Sequence, residues 1–253
     1  ASYPSIAKPL LAGNHPLIIN AVTGAMTALL ICFVFGLLTE IKKGVKARRQ
    51  DGYLLLLALT SGAAAPALYL TGLMRSPVVN AVFLISLQIP ITIALSAIFL
   101  RERITKHFLI GVIVLLVGVS VYSTNLFRLA FQFTWNDLFF VGAALAYSFG
   151  DIIYKKKLQH LSHEFVLFGR SAFGCLFILL GIALFSLEVP LAFSFDVRTA
   201  VSLGLLVLIP IIGGQTLWYM SLDHIKVQDA SVIDAHYLLF SALIAAIALG
   251  EPL

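Results

Sequence analysis

The chain has 253 residues, 60% of them apolar, with 17 Lys or Arg against 12 Asp or Glu, a formal net charge of +5 and a mean hydropathy of +1.00. Soluble domains run at about 45–50% apolar and about 25% charged, so this composition excludes a water-soluble enzyme, a disordered chain and a disulfide scaffold, and leaves a polytopic membrane protein. The basic excess sits in short segments between apolar runs, where it reads as a topology signal and not as a nucleic-acid surface, and Cys32 and Cys175 both fall inside apolar runs as packing residues.

A helix needs about 20 mostly apolar residues to cross the hydrocarbon. Ala1 to Leu11 reads as the second half of a first span with no initiator Met, which suggests a piece of a longer protein. The second to ninth spans follow as Pro16 to Leu38, Tyr53 to Leu73, Val78 to Leu100, Phe108 to Leu126, Leu138 to Tyr154, Phe165 to Leu187, Val201 to Leu222 and Val227 to Leu249. Of all charged residues only Asp151, Arg170, Asp229 and Asp234 lie inside those eight runs. Nothing alternates in polarity as transmembrane strands do, so the spans are helices, which satisfy their own backbone groups. The predicted fold is an all-α polytopic helix bundle with about nine helices. After the ninth, Gly250-Glu251-Pro252 opens a further loop.

Lysine and arginine orient the spans. The segments after the second, fourth, sixth and eighth carry twelve bases, including KKGVKARRQ and Lys155-Lys156-Lys157, against four (Lys8, Arg75, Arg128, Arg198) on the other side. The richer side is cytoplasmic, so the first span runs from inside to outside.

Sliding the chain on itself by 149 residues pairs Gly62 to Glu102 with Ile211 to Glu251, with eight identities in 41 positions, among them Leu73/Leu222 and Glu102/Glu251. The fourth and ninth spans, paired in this way, cross in opposite directions, which makes the repeat inverted. Such repeats are typical of secondary transporters, whose halves meet around a site near mid-membrane. The division expected is a first repeat over residues 1–126, with the first span partial, and a second over 137–253.

The segment NAVFLISLQIPITIALSAIFLRERI, with Pro90 in mid-helix and Glu102 at its end, followed by GVIVLLVGVSVYS, resembles the EamA domain of the drug/metabolite transporter superfamily. So do AYSFGDIIYKKKL, LWYMSL and VQDASVIDAHYLLFSALIAAIALGEPL in the second half. The resemblance implies ten helices in two five-helix repeats, cytoplasmic termini, and export or exchange of small metabolites such as amino acids. Leu239 stands where the first repeat has Pro90, which puts one of the two expected helix breaks in question.

Ionisable groups inside hydrocarbon are unfavourable by about 2.5–3.5 kcal/mol each on the insertion scale and mark functional sites. At about 1.5 Å rise per residue, Asp151, Arg170, Asp234 and His236 fall in one layer of the inner half. Either the layer faces a water-filled cavity that handles a substrate charge or a coupling proton, or a closed Asp–Arg pair locks the sixth or ninth helix to the seventh. Polar company at helical spacing favours the cavity: Tyr147, Asp151 and Tyr154 on the sixth span, and Ser231, Asp234, Tyr237 and Ser241 on the ninth. Arg170 is the candidate for a substrate carboxylate, through paired hydrogen bonds. Gln215, Trp218 and Tyr219 on the eighth span, with Gln88, Thr92 and Ser96 on the fourth, offer neutral hydrogen bonding and aromatic surface.

Two stretches, Ser61-Gly-Ala-Ala-Ala-Pro66 and Ile211-Ile-Gly-Gly-Gln215, read as matched helix breaks of the kind that point to a transport site. Gly111, Gly118, Gly174 and Gly181 read as packing residues. Glu102 and Glu251 end their helices, where they are expected to bond loop amides or a base. With no Walker loop, HExxH or GxSxG, no nucleotide, metal or other cofactor is expected. The function expected is a secondary transporter in a bacterial inner membrane, moving a small amino-acid-like or drug-like solute by alternating access. An intramembrane enzyme or a non-transporting bundle is the alternative.

Overall fold

The computed structural model describes residues 3–34, 51–76, 78–104, 109–114, 117, 134–184, 193, 196–234 and 236. The described residues form helices and no strand. Among the described residues, six helices are long and apolar enough to cross a membrane: Pro16–Val34, Gly52–Arg75, Asn80–Leu100, Trp135–Leu158, His163–Leu184 and Val197–His224. The first span is present as Tyr3–Leu10 and the ninth begins as Val227–Asp234. Tyr237, Leu239, Ser241, Glu251 and Gly118 lie outside the described residues. Polar caps carry helices beyond their apolar runs: the Asp196 carboxylate accepts the Thr199 amide at 2.7 Å and starts the eighth span at Val197.

The surface is that of a membrane protein. Leu29, Phe33, Leu184 and Leu217 are 67–88% exposed, an arrangement that water penalises and lipid does not. Inside, the second helix packs on the seventh, the third on the sixth and seventh, the fourth on the sixth, and the first on the eighth. Glycine permits the closest of these approaches. A Cβ on Gly174 would lie 2.8 Å from the Gly62 carbonyl carbon, and one on Gly150 would lie 1.6 Å from Ser61 Oγ. Gly174 is therefore a packing residue as expected; an added Cβ on Gly111 or Gly181 meets no described atom within 4 Å.

Two buried clusters close the two ends of the bundle. One gathers Leu10, Leu73, Val78, Ile85, Phe140 and Leu203; the other gathers Leu57, Tyr154, Leu158, Val166, Leu222 and Val227. The third span runs from the second cluster (Leu57) to the first (Leu73), whereas the eighth runs from the first (Leu203) to the second (Leu222). The first and sixth spans end at opposite clusters, and the fourth ends where the ninth starts. The spans paired by the 149-residue shift thus run in opposite directions.

The pairing extends to backbone detail. The third span contains a π-helical segment, Ala58–Ala64, and the eighth contains another, Val207–Gly214, 149 residues on. The C-caps that end the two spans also match: Ser76 has φ −127° and ψ 157°, and Ile225 has φ −124° and ψ 165°. At the end of the fourth span, Glu102, expected to bond loop amides or a base, bonds the first two amides of the ninth helix instead, receiving Val227 N–H at 3.3 Å and Gln228 N–H at 3.5 Å. Its carboxylate thereby caps the ninth helix, where negative charge suits the dipole.

Candidate functional site

Between the two clusters lies a cavity of about 580 Å³. Along the third, sixth and eighth spans the lining residues sit between the cluster residues, as Ser61 and Pro66 lie between Leu57 and Leu73. The π segments form part of this wall, which explains how its charged groups are held.

In the third span the Ala65 amide donates to Thr60 O, a step of five residues. The next residue in that register is Pro66, which has no N–H. Ser61 O is left without a donor from its own helix, a costly state in a membrane. Arg170 supplies the donor: its Nη2 bonds Ser61 O at 2.9 Å, while Nη1 bonds Gln215 Oε1 and lies 3.5 Å from Tyr219 Oη. Gly62 makes this reach possible, since a Cβ there would sit 2.3 Å from the Arg170 carbonyl. Two residues after Ser61, Ala63 O receives the Asn20 side-chain amide at 3.1 Å.

Asp151, 8% exposed like Arg170, is held separately. Oδ1 accepts from Trp218 Nε1 at 2.8 Å and Oδ2 from Gln88 Nε2 at 3.3 Å. Among the described residues Arg170 makes no ion pair with Asp151 or Asp234, whereas His163 Nε2 lies 2.7 Å from Asp223 Oδ2. Arg170 and the Asp151 carboxyl group are thus held apart, each by neutral partners, on the wall of one cavity.

Tyr147, Gln88, Gln215, Trp218, Tyr219 and Asp234 also line it. His236 does not. Its Nδ1 lies 2.9 Å from Ile233 O on its own helix, and the side chain is exposed. Tyr154 belongs to the end cluster, where it stacks on Tyr219 at 4.3 Å between ring centroids and donates to Asp223 Oδ1 at 3.0 Å. Thr92 and Ser96 turn into helix contacts, Thr92 Oγ1 bonding Ser148 Oγ at 2.8 Å and Ser96 Oγ bonding Ile93 O at 2.9 Å.

Sequence reasoning passed over one wall, made by Asn20, Thr23 and Thr27 of the second span. Their spacing of three and four is a polar stripe, and that signal was present in the sequence. It also passed over Tyr3 and Tyr69, whose rings meet edge-on at 5.7 Å, because aromatic residues in an apolar run carry no polar signature.

The EamA-like transporter family model matches residues 1–124 and 134–253. A curated protein of Methanothermobacter thermautotrophicus, named an uncharacterized transporter, is 28% identical over 132 residues, which are 48% of this chain and 38% of that protein, so the match spans well under half of the relative. A solved protein crystal structure aligns with 100% of this chain and 85% of its own at a TM-score of 0.77 and 17% identity, a likeness of fold. The antiparallel pairing of spans, the matched helix irregularities and the family match agree: the chain is an integral, multi-pass membrane protein of the EamA-like transporter family.

Proposed function

We propose that this protein is a secondary transporter that carries a small zwitterionic, amino-acid-like metabolite across a bacterial inner membrane by alternating access, in the outward direction. The observation that carries this reading is the separation of charges in the cavity. Arg170 and Asp151 do not neutralise each other, and each keeps hydrogen-bonding capacity beyond its neutral partners. A substrate carboxylate fits the guanidinium and a substrate ammonium fits Asp151 or Asp234, with Trp218 and Tyr147 beside them as apolar and aromatic surface. Asp151 and Asp234 are also the groups suited to carry a coupling proton. An enzyme built on Asp151, Asp234 and His236 has less support, since His236 stands off the cavity wall.

The test is counterflow of radiolabelled amino acids into proteoliposomes. A charge-assisted hydrogen bond contributes about 1.5–3 kcal/mol, and about 1.4 kcal/mol is tenfold. Arg170→Gln and Asp151→Asn should each lower flux by roughly tenfold or more while the protein still inserts and purifies as a folded species. Undiminished flux in both variants removes these charges from the transport path.

A further inference from the structure

The outermost carbonyls of a helix lack donors of their own, and two lysines answer this need at two related places. Lys8, near the end of the first span, donates from Nζ to Leu73 O and to Ser76 O, the latter at 2.8 Å. Lys155, near the end of the sixth, donates from Nζ to Leu222 O and to Ile225 O, the latter at 3.1 Å. Leu222 and Ile225 are Leu73 and Ser76 moved on by 149 residues, and the caps at Ser76 and Ile225 share their backbone angles. The two lysines are 147 residues apart, so no single shift of the sequence aligns them together with their carbonyl partners.

Each lysine grips a hairpin turn. Leu73 and Ser76 lead from the third span into the fourth, and Leu222 and Ile225 lead from the eighth into the ninth. Each of these hairpins carries one of the two π segments that line the cavity. The gripped turns lie at opposite clusters, and by the distribution of basic residues the Lys8 turn is external and the Lys155 turn cytoplasmic. The cytoplasmic turn is reinforced from the sixth and seventh spans: Gln159 Nε2 bonds Leu222 O at 3.1 Å, and Asp223 accepts from Tyr154 and pairs with His163.

We propose that Lys8 and Lys155 are paired latches, each holding one cavity-lining hairpin closed at its own membrane face, and that their alternate release exposes the cavity to one side at a time. This rests on the transport reading above. Both latches are made in this structure, and the cavity lies between two packed ends. A cation at a helix C-terminus is favoured by the dipole and by the orphan carbonyls, so each grip is firm; at the cytoplasmic turn Lys155 shares Leu222 O with Gln159, but only Lys155 brings a cation to these carbonyls.

The experiment reads accessibility and needs no solute. In full-length protein with Cys32 and Cys175 replaced by Ser, a reporter cysteine replaces Thr27 on the cavity wall. Its reaction with a membrane-impermeant maleimide is followed from outside in intact cells and from inside in inverted vesicles. Lys8→Met should raise external labelling about five- to tenfold and lower internal labelling, corresponding to a shift of about 1–1.4 kcal/mol. Lys155→Met should do the reverse. Lys8→Arg and Lys155→Arg, which keep donors, should stay near the parent rates. If a Met variant fails to accumulate, the Gln variant, with a shorter and neutral donor, should move labelling in the same direction by less. Changes of the same sign in both variants, or none, overturn the latches, as does loss of thermal stability without a reciprocal shift. Reciprocal labelling in a protein that moves no amino acid would keep the latches and overturn the transport reading.

Discussion

Arg170 is held where it is by an absence in another helix. Pro66 withholds an amide, Ser61 O is left over, and the guanidinium takes the vacancy at 2.9 Å. Gly62 sets the distance between the two backbones, which makes it the position where a small change reaches the site. Gly62→Ala would bring a Cβ to 2.3 Å from Arg170 O and 3.3 Å from Arg170 Cγ. Backbone on both sides leaves no flexible group to yield, so the third and seventh spans must part. Overpacking of this kind destabilises by about 1–3 kcal/mol. A lower midpoint of thermal unfolding and a fall in flux are expected together, with Gly181→Ala, which meets no described atom, as the unaffected control. An unchanged midpoint in Gly62→Ala would show that the close approach is not required. The sequence made Arg170 conspicuous as a charge in an apolar run. It did not disclose the partner, because a main-chain carbonyl freed by helix register leaves no mark on residue type.

The π segments are where sequence and structure meet most closely. Gly and Pro in the third span, and paired Gly in the eighth, mark loosened turns, and both places became π helix on the cavity wall. The direction of loosening was not legible, since the same residues permit a kink, a bulge or a break. Pro66→Ala tests the cause. The variant restores an N–H at residue 66, which competes with Arg170 for Ser61 O and lets the segment relax toward α-helix. A recovered hydrogen bond contributes about 0.5–1.5 kcal/mol, so hydrogen exchange of the amides around residues 62–67 should slow while flux falls. Exchange and flux both unchanged would mean that packing against Gly150 and Arg170, and not the proline, imposes the register. The end of the fourth span shows the same economy of means. Arg101 has φ 57° and ψ 32°, a left-handed cap that favours glycine, and the residue 149 positions later is Gly250. The turn delivers Glu102 to the amides of the ninth helix, and so ties the end of the fourth span to the start of the ninth.

At the scale of the whole molecule, eight identities in 41 positions understate the relation between the two halves. The likeness resides in π segments, caps and lysine grips more than in residue identity. Orientation follows from the same geometry. The eighth span begins at the cluster that contains Phe140 and Leu203, and the fourth span ends against the one that contains Tyr154 and Leu222, so Arg198 and Arg103, both exposed, stand at opposite ends of the bundle. In the cysteine-free background, Arg198→Cys should react with an impermeant maleimide in intact cells, and Arg103→Cys only in inverted vesicles. The mirror result would reverse the assignment of inside and outside while leaving the two halves antiparallel, because the clusters fix their relative sense without reference to the membrane. Labelling of both from one side would contradict a bundle whose cavity lies between two membrane faces, and with it the alternation that transport requires.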